Sequence, residues 1–172
     1  MRSWWRRRRA VRGLRDQAPV GSLLVLCTAN LVRSPFAQKV LEARLGDRVI
    51  VRSRGVLPGG GNPPPEAMEV AAELGFSLEG HVAQRLQPSE LVSGNIVFVM
   101  EGRMATVLGG QYPAIRERLF LLGRFDSESG WGEDIDDPYM LTRNDYFTAY
   151  ERILRCCDAV VEQISDTGGG TA

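Results

Sequence analysis

The sequence predicts an α/β domain in which a four-stranded parallel sheet lies between two layers of helices. Short apolar runs typical of buried strands alternate along the chain with segments of helical period. The first strand leads through one polar loop into a helix, as in parallel sheets with crossover helices. With 172 residues, the chain is long enough for one ordinary domain and short for two. We therefore expect a single three-layer domain over residues 21–166, with tails at 1–20 and 167–172.

The strands are predicted from compact apolar or β-branched runs between turn-forming residues. The first run follows Gly21 and ends at a polar loop, which suits a strand buried on both faces. The four predicted strands cover residues 22–26, 49–51, 96–100 and 119–122.

The helices are predicted from apolar residues at helical spacing and from their end signals. Pro35 lies in the first turn of the first helix and Gly46 follows its end. The last helix has a long apolar stripe. The predicted helices cover 34–45, 66–74, 103–108 and 146–164, and the turn-rich segments 54–65 and 126–145 are predicted loops.

Composition narrows the functional classes. The chain is 44% hydrophobic and 24% charged, and no apolar run approaches the roughly 20 residues needed to span a bilayer. Its three cysteines are an odd number without framework spacing, so a disulfide-stapled secreted domain is disfavoured. We expect a cytoplasmic protein without metal or cofactor, because one histidine and scattered cysteines form no usual ligand set.

The N-terminal segment is strongly basic. Residues 1–15 carry seven arginines and no acidic residue, whereas the rest of the chain has 14 basic and 21 acidic residues. We expect a solvated, flexible tail over residues 1–20 rather than a signal peptide, since no long apolar stretch follows the arginines. The arginines, with Trp4 and Trp5, also suit an anionic membrane surface as partner, and we expect no specific nucleic acid.

The loop after the first strand is the candidate site, because ligands of parallel sheets bind beyond the carboxyl ends of the strands. It reads Cys-Thr-Ala-Asn-Leu-Val-Arg-Ser-Pro from Cys27 to Pro35. Its backbone N–H groups can curl around one anion at the start of a helix, where a nearby thiolate is a nucleophile. Arg33 offers a planar fork that matches phosphate oxygens. A lone Cys27 would be read as a small buried hydrophobe, and Arg33 and Ser34 at this spacing reverse that interpretation.

Several segments together resemble the low-molecular-weight protein tyrosine phosphatases, whose loop has the form C-x-G-N-x-C-R-S. Besides the loop itself, SRG at 53–55, LEGHVAQRL at 78–86, VME at 99–101 and DIDDPY at 134–139 are similar to family landmarks in the same order. The resemblance covers about residues 22–165. It implies a flavodoxin-like phosphatase fold and a bacterial enzyme that hydrolyses phosphotyrosine in proteins.

The resemblance also implies roles for residues of the site. Cys27 would form a phosphocysteine intermediate and Asp137, before Pro138, would serve as general acid and then base. Asp136 is the rival carboxylate, one residue off the family register. The phosphate would be bound by the loop, whose residues are Thr28, Ala29, Asn30, Leu31, Val32, Arg33 and Ser34.

Other residues would support the loop or shape the substrate slot. Ser34, Ser53 and His81 would hold Asn30, so His81, the chain's one histidine, is expected to be structural rather than a base. Tyr139 and Leu57 would form the two walls of the slot. A leucine wall is similar to bacterial members associated with exopolysaccharide tyrosine kinases, which makes such a kinase the expected protein substrate.

Three positions depart from the family pattern. Ala29 replaces the loop glycine, which would strain the loop if its φ were positive. Val32 replaces a second loop cysteine, so Cys27 has no neighbour with which to form a protective disulfide. Arg54 replaces a small residue and offers a charge for a second acidic group of the substrate.

Three alternatives stay open. Arsenate reduction would need thiols that reach Cys27, but Cys156 and Cys157 are adjacent in a predicted helix and point to different faces. A catalytically weakened phosphate-binding module is favoured by Ala29 and disfavoured by the four site residues Cys27, Arg33, Ser34 and Asp137. A phosphatase for a small metabolite is compatible with the same residues.

Overall fold

The computed structural model describes residues 2–57, 59–92, 94–128 and 132–166. Four parallel strands form one sheet in the order β2-β1-β3-β4, and helices cover both of its faces. The strands are β1 (Ser22–Cys27), β2 (Ile50–Gly55), β3 (Ile96–Val99) and β4 (Leu119–Leu121). This confirms the predicted three-layer α/β class.

Six helices accompany the sheet within the described residues, together with short 3-10 turns at Gly46–Arg48, Pro113–Arg118 and Leu122–Phe125. The helices are α1 (Arg2–Arg15), α2 (Arg33–Leu45), α3 (Pro65–Glu73), α4 (Pro88–Val92), α5 (Gly102–Gln111) and α6 (Arg143–Asp166).

The core has two parts, one on each face of the sheet. Successive residues of β1 point to opposite faces, so Leu23 and Val25 lie in the larger cluster and Leu24 and Leu26 in the smaller one. The larger cluster packs against α1, α2, α3 and α6, and the smaller one against α4 and α5. Because β1 and β3 are neighbours, the loops after their carboxyl ends meet at the edge where the candidate site lies.

The predicted elements are all present, with shifted ends. The largest shift is in β2, which was predicted over 49–51 and continues to Gly55. Ser53 and Gly55 therefore belong to a strand beside β1, although Gly55 was predicted to lie in the following loop. The short helix α4 was not predicted, because five residues carry too little periodicity.

The prediction of a flexible tail over residues 1–20 is wrong for α1, which is a helix docked on the core. Ala10 and Leu14 are four residues apart, lie on one helical face and are buried. Gly13 faces the ring of Phe120, which a Cβ atom would approach to 3.3 Å. The many arginines of residues 1–15 suggest a solvated segment, whereas the two apolar positions of this inward face are enough to dock it.

Two further predictions concern the chain ends and membranes. The predicted disordered tail at 167–172 lies outside the described residues. Among the helices that the structure describes, none is long and apolar enough to cross a membrane.

Candidate active site

The loop that joins β1 to α2 holds the sulfur of Cys27 between two donors. The backbone N–H of Asn30 donates to Cys27 Sγ at 3.2 Å, and the hydroxyl of Ser34 donates to the same atom at 3.0 Å. Cys27 is the last residue of β1, and Ser34 lies in the first turn of α2. The two donors fix the position of the sulfur at the mouth of the loop.

The backbone of the same loop offers further donors. Within the described part of the chain, the N–H groups of Ala29, Leu31 and Val32 have no hydrogen-bond acceptor. Helix α2 begins without a side-chain cap at Val32. Uncapped amides at a helix start attract anions through their dipoles, so the loop can bind one phosphate group.

Arg33 is the most tightly held charged residue of the site, with 1% of its side chain exposed. Nη1 donates to Glu101 Oε1 at 2.8 Å and to the Ile135 carbonyl oxygen at 2.9 Å. Nη2 donates to Thr28 Oγ1 at 3.2 Å and to Asp137 Oδ2 at 2.5 Å. Nε is buried and has no partner among the described residues. A buried donor without an acceptor is costly, so Nε is available to an oxygen of a bound anion.

Asn30 fixes the shape of the loop. Its φ of 59° lies in the left-handed region, which asparagine tolerates better than most residues. Nδ2 donates to Ser34 Oγ at 3.0 Å and to Ser53 Oγ at 2.9 Å. Oδ1 accepts from the N–H of Gln84 at 2.9 Å. A fully bonded amide of this kind makes the loop rigid before any ligand binds.

His81 supports Asn30 from the other side. Its Nε2 donates to the carbonyl oxygen of Asn30 at 2.9 Å. Burial lowers the pKa of His81, as do the nearby charges of Lys39 and Arg54, against the opposing effect of the carbonyl. The structure places His81 as a neutral support for the loop and shows no contact with Cys27.

Asp137 reaches the site from the long loop before α6, and Asp136 does not. Besides its bond with Arg33, the Asp137 carboxylate accepts from the N–H of Tyr139 at 3.2 Å. Asp136 is exposed and has no ion pair or hydrogen bond to Arg33. The structure therefore brings the carboxylate of Asp137 beside Arg33 and leaves that of Asp136 in solvent.

The two predicted walls of the slot, Leu57 and Tyr139, are both about half exposed, at 54% and 47%. The N–H of Leu57 donates to the Thr28 carbonyl oxygen at 3.0 Å, which fixes this residue beside the loop. Tyr139 follows Asp137 and Pro138 in the loop before α6, and its N–H donates to the Asp137 carboxylate.

Two of the residues that depart from the family pattern, Ala29 and Arg54, make contacts that define their roles. The φ of Ala29 is not positive, so its side chain causes no strain of the left-handed kind. Its backbone instead packs closely against two glycines, since a Cβ at Gly55 or Gly59 would come within 2.8 Å of it. Arg54, expected to be free for substrate, is paired with Glu90 at 2.9 Å.

Sequence reasoning missed three partners of the site. Glu101 pairs with Arg33, Gln84 holds the Asn30 side chain, and Gln38 accepts from Ser53 Oγ at 2.6 Å. A signal existed for Glu101, because it follows β3 and the neighbouring strand β1 carries the loop. Gln84 acts through its backbone N–H, which no side-chain pattern reveals.

Comparison with known proteins agrees with this geometry. The sequence model of the family described as low molecular weight phosphotyrosine protein phosphatase matches residues 22–168. A relative from Ralstonia nicotianae, the probable low molecular weight protein-tyrosine-phosphatase EpsP, is 33% identical over 150 residues, which is 87% of this chain and 99% of the relative.

Solved structures give the same result. The tyrosine phosphatase AmsI of Erwinia amylovora is 30% identical, with a TM-score of 0.74 over 83% of this chain and 92% of that one. The arginine phosphatase YwlE of Geobacillus stearothermophilus is 26% identical, with a TM-score of 0.75 over 85% and 94%. The family match covers most of the chain, including the whole sheet and its loops. The chain therefore belongs to the low molecular weight phosphotyrosine protein phosphatases, a family of cysteine-dependent phosphoric monoester hydrolases.

Proposed function

We propose that this chain hydrolyses phosphotyrosine in proteins, with Cys27 as nucleophile, Arg33 and the loop as phosphate binders and Asp137 as proton donor. The main support is that Arg33 joins the loop that starts at Cys27 to the carboxylate of Asp137. Arg33 donates to Thr28, next to Cys27, and to Asp137, although these residues come from separate parts of the chain.

The first step would transfer the phosphoryl group to the enzyme. Cys27 Sγ attacks phosphorus, the bond to the tyrosine oxygen breaks, and Asp137 protonates the leaving oxygen. Arg33 Nε and the amides of Ala29, Leu31 and Val32 would bind the phosphate oxygens. A phosphate oxygen at Arg33 Nη2 would compete with Asp137, which would then be released toward the leaving group.

The second step would return the free enzyme. Asp137, now a carboxylate, takes a proton from water, the water oxygen attacks phosphorus, and the S–P bond breaks. Ser34 Oγ, at 3.0 Å from Cys27 Sγ, would donate to the departing thiolate. Inorganic phosphate is the product.

The alternatives have weaker support. Cys156 and Cys157 are both buried in α6, so neither is placed to relay a disulfide from Cys27 during arsenate reduction. The hypothesis of a catalytically weakened binding module was based mainly on strain at Ala29, and Ala29 has an ordinary φ. The likeness to an arginine phosphatase makes phosphoarginine a competing substrate that the assay must include.

The test is steady-state and rapid-quench turnover with a phosphotyrosine peptide, a phosphoarginine peptide and p-nitrophenyl phosphate. We expect the phosphotyrosine peptide to be the preferred substrate. We also expect the enzyme phosphorylated on Cys27 to accumulate transiently. Cys27→Ser should lose turnover by several orders of magnitude while keeping its fold and its phosphate binding. Retention of substantial turnover in that variant would disprove the phosphocysteine route, and preference for phosphoarginine would reassign the substrate.

For the natural context, we propose a bacterial cytoplasmic enzyme whose substrate is a tyrosine kinase of exopolysaccharide synthesis. The support is the likeness to AmsI and EpsP, which are bacterial tyrosine phosphatases, and the three free thiols, which suit a reducing compartment. Dephosphorylation of such a kinase purified from the same organism tests this assignment.

We also propose that α1 attaches the protein to anionic membrane surfaces. The helix lies before the segment matched by the family, and its outer face exposes Trp5, Arg9 and Arg12. An arginine near an anionic leaflet contributes about 1 kcal/mol. Sedimentation with vesicles rich in anionic phospholipid should show salt-sensitive binding that Arg9→Gln and Arg12→Gln weaken. Equal binding to neutral vesicles would contradict the proposal.

A further inference from the structure

A groove of about 640 Å³ runs from the phosphate loop along α5. We call it the side groove. At its inner end it is lined by Thr28 and Leu57, which belong to the phosphate loop and the substrate wall. From there it passes between residues 85–88 and α5. Its volume is within the range of about 300 to 1,000 Å³ that is usual for ligand sites.

The floor of the side groove is apolar. Met104 and Leu108 of α5, together with Val56 and Leu86, line it and belong to or pack against the smaller core cluster. Val107, also in the lining, has 57% of its surface exposed. An apolar floor rewards the burial of a bulky apolar side chain, and a methionine adapts its shape to different ones.

The rim of the side groove is positively charged. Arg85 and Arg103 are both exposed and have no ion pair or side-chain hydrogen bond among the described residues. Other arginines near this face are engaged, since Arg54 pairs with Glu90 and Arg116 donates to the Gly109 carbonyl oxygen. The two unpaired cations therefore give the rim a net attraction for carboxylates.

The acidic residue in the lining does not reverse this charge. Glu101 lines the side groove as one acidic residue against the two arginines, and its carboxylate is paired with the buried Arg33 at 2.8 Å. Apolar residues, two unpaired arginines and Thr28 of the phosphate loop line the same groove, which gives a subsite of defined chemistry.

We propose that the side groove binds the residues next to the phosphotyrosine in the protein substrate, and that it selects one bulky apolar side chain accompanied by an acidic one. This inference rests on the phosphatase function proposed above. With the phosphotyrosine between Leu57 and Tyr139, the adjoining peptide enters the groove past Leu57. Its apolar side chain packs on Met104 and Val107, and its carboxylate lies between Arg85 and Arg103.

The test compares three substrates on the intact protein. One is a phosphotyrosine peptide with a leucine and glutamates beside the phosphotyrosine, the second has lysines in place of the glutamates, and the third is p-nitrophenyl phosphate. We expect the acidic peptide to have the highest kcat/KM. In the double variant Arg85→Glu, Arg103→Glu, kcat/KM for this peptide should fall about tenfold, mostly through KM. The lysine peptide should improve, and p-nitrophenyl phosphate should change less than about twofold.

Two further variants separate local from general effects. Val107→Asp should weaken the leucine peptide more than an otherwise identical alanine peptide, because the position is exposed and tolerates a polar side chain. Arg12→Glu makes the same charge change on α1, which packs on the opposite face of the sheet, and should leave the peptide ranking unchanged.

The outcomes distinguish the two proposals. Normal turnover of p-nitrophenyl phosphate with no difference between the acidic and lysine peptides, or an equal effect from Arg12→Glu, would overturn the side-groove subsite alone. Failure of the wild-type protein to turn over any of the three substrates would instead overturn the phosphatase function on which the subsite depends.

Discussion

Arg33 and Asp137 are 104 residues apart in the chain, and Nη2 of the arginine donates to Oδ2 of the aspartate at 2.5 Å. The arginine is buried, whereas 39% of the aspartate side chain is exposed. Glu101 and Ile135 also hold the arginine, whereas the exposed aspartate has one further hydrogen bond, from the N–H of Tyr139. This difference suits a rigid phosphate binder and a proton donor that is open to the substrate.

Asp137→Asn is expected to reduce turnover according to the leaving group. General acid catalysis contributes about 10² to 10⁴ in rate, and the contribution is largest when the leaving oxygen is a poor one. Phenyl phosphate should therefore lose far more kcat than p-nitrophenyl phosphate. Asp136→Asn is the matched control and should change neither rate by much. A selective loss in Asp136→Asn instead would move the acid by one residue.

Gly55→Ala is expected to lower kcat/KM by about a hundredfold without unfolding the protein. The new Cβ would lie 2.8 Å from the carbonyl carbon of Ala29, so the phosphate loop would have to shift. Gly21→Ala is the control, because its Cβ would meet nothing within 4 Å. Comparable activities for the two variants would show that the loop tolerates displacement.

Ala29→Gly should leave activity within about twofold of wild type. Alanine has an ordinary φ here, so glycine relieves no strain and mainly adds freedom to the unfolded chain. Steady-state kinetics and urea unfolding measure the two effects. A large fall in activity would mean that the methyl group of Ala29 is needed to hold the loop.

Iodoacetate is expected to alkylate Cys27 more rapidly than the other two cysteines, and phosphate or vanadate should protect it. Cys27 lies at the start of the loop whose backbone amides can bind an anion, and Asn30 and Ser34 both donate to its sulfur. Burial raises the pKa of Cys156 to about 12 and that of Cys157 well above its ordinary value. Mass spectrometry of peptides should find little label on either. Labelling of Cys27 that phosphate does not slow would count against an anion site at the loop.

Acid should destabilise the fold partly through His81. Burial lowers the pKa of His81 in the folded chain below the unfolded value of about 6.5. Below that pH the unfolded chain binds a proton that the folded chain does not, so the free energy of unfolding falls as pH decreases. Urea unfolding between about pH 7.5 and 5.5 should show a smaller fall in His81→Gln, which keeps a donor for the Asn30 carbonyl. Identical pH dependence in both proteins would remove His81 from this role.

The local part of the site was predictable because its residues are neighbours in the chain. A buried strand ending at Cys27, a loop of fixed length and a helix with Pro35 in its first turn define where Asn30, Arg33 and Ser34 stand. Their spacing alone indicates an anion loop with a thiol at its start. The alternation of strands and helices likewise determined the fold class, since parallel strands require crossover connections.

The partners of Arg33 were decided by tertiary structure. Glu101 contacts Arg33 because β3 lies beside β1 in the sheet, and that order is set by how the helices pack on both faces. Asp137 contacts Arg33 and Asp136 does not, because the path of the long loop determines which carboxylate faces inward. Chain spacing carries no information on either point.

The same division applies to the chain's two surface features. The sequence by itself determined that residues 1–15 are rich in arginine, and only packing showed that Ala10 and Leu14 dock this segment as α1. The side groove combines residues from three places, which are the phosphate loop, the segment that precedes α4, and helix α5. No local sequence pattern relates these three segments. Sequence determines local geometry and charge, because these depend on neighbouring residues. Which distant residues share a site depends on the packing free energy of the whole domain.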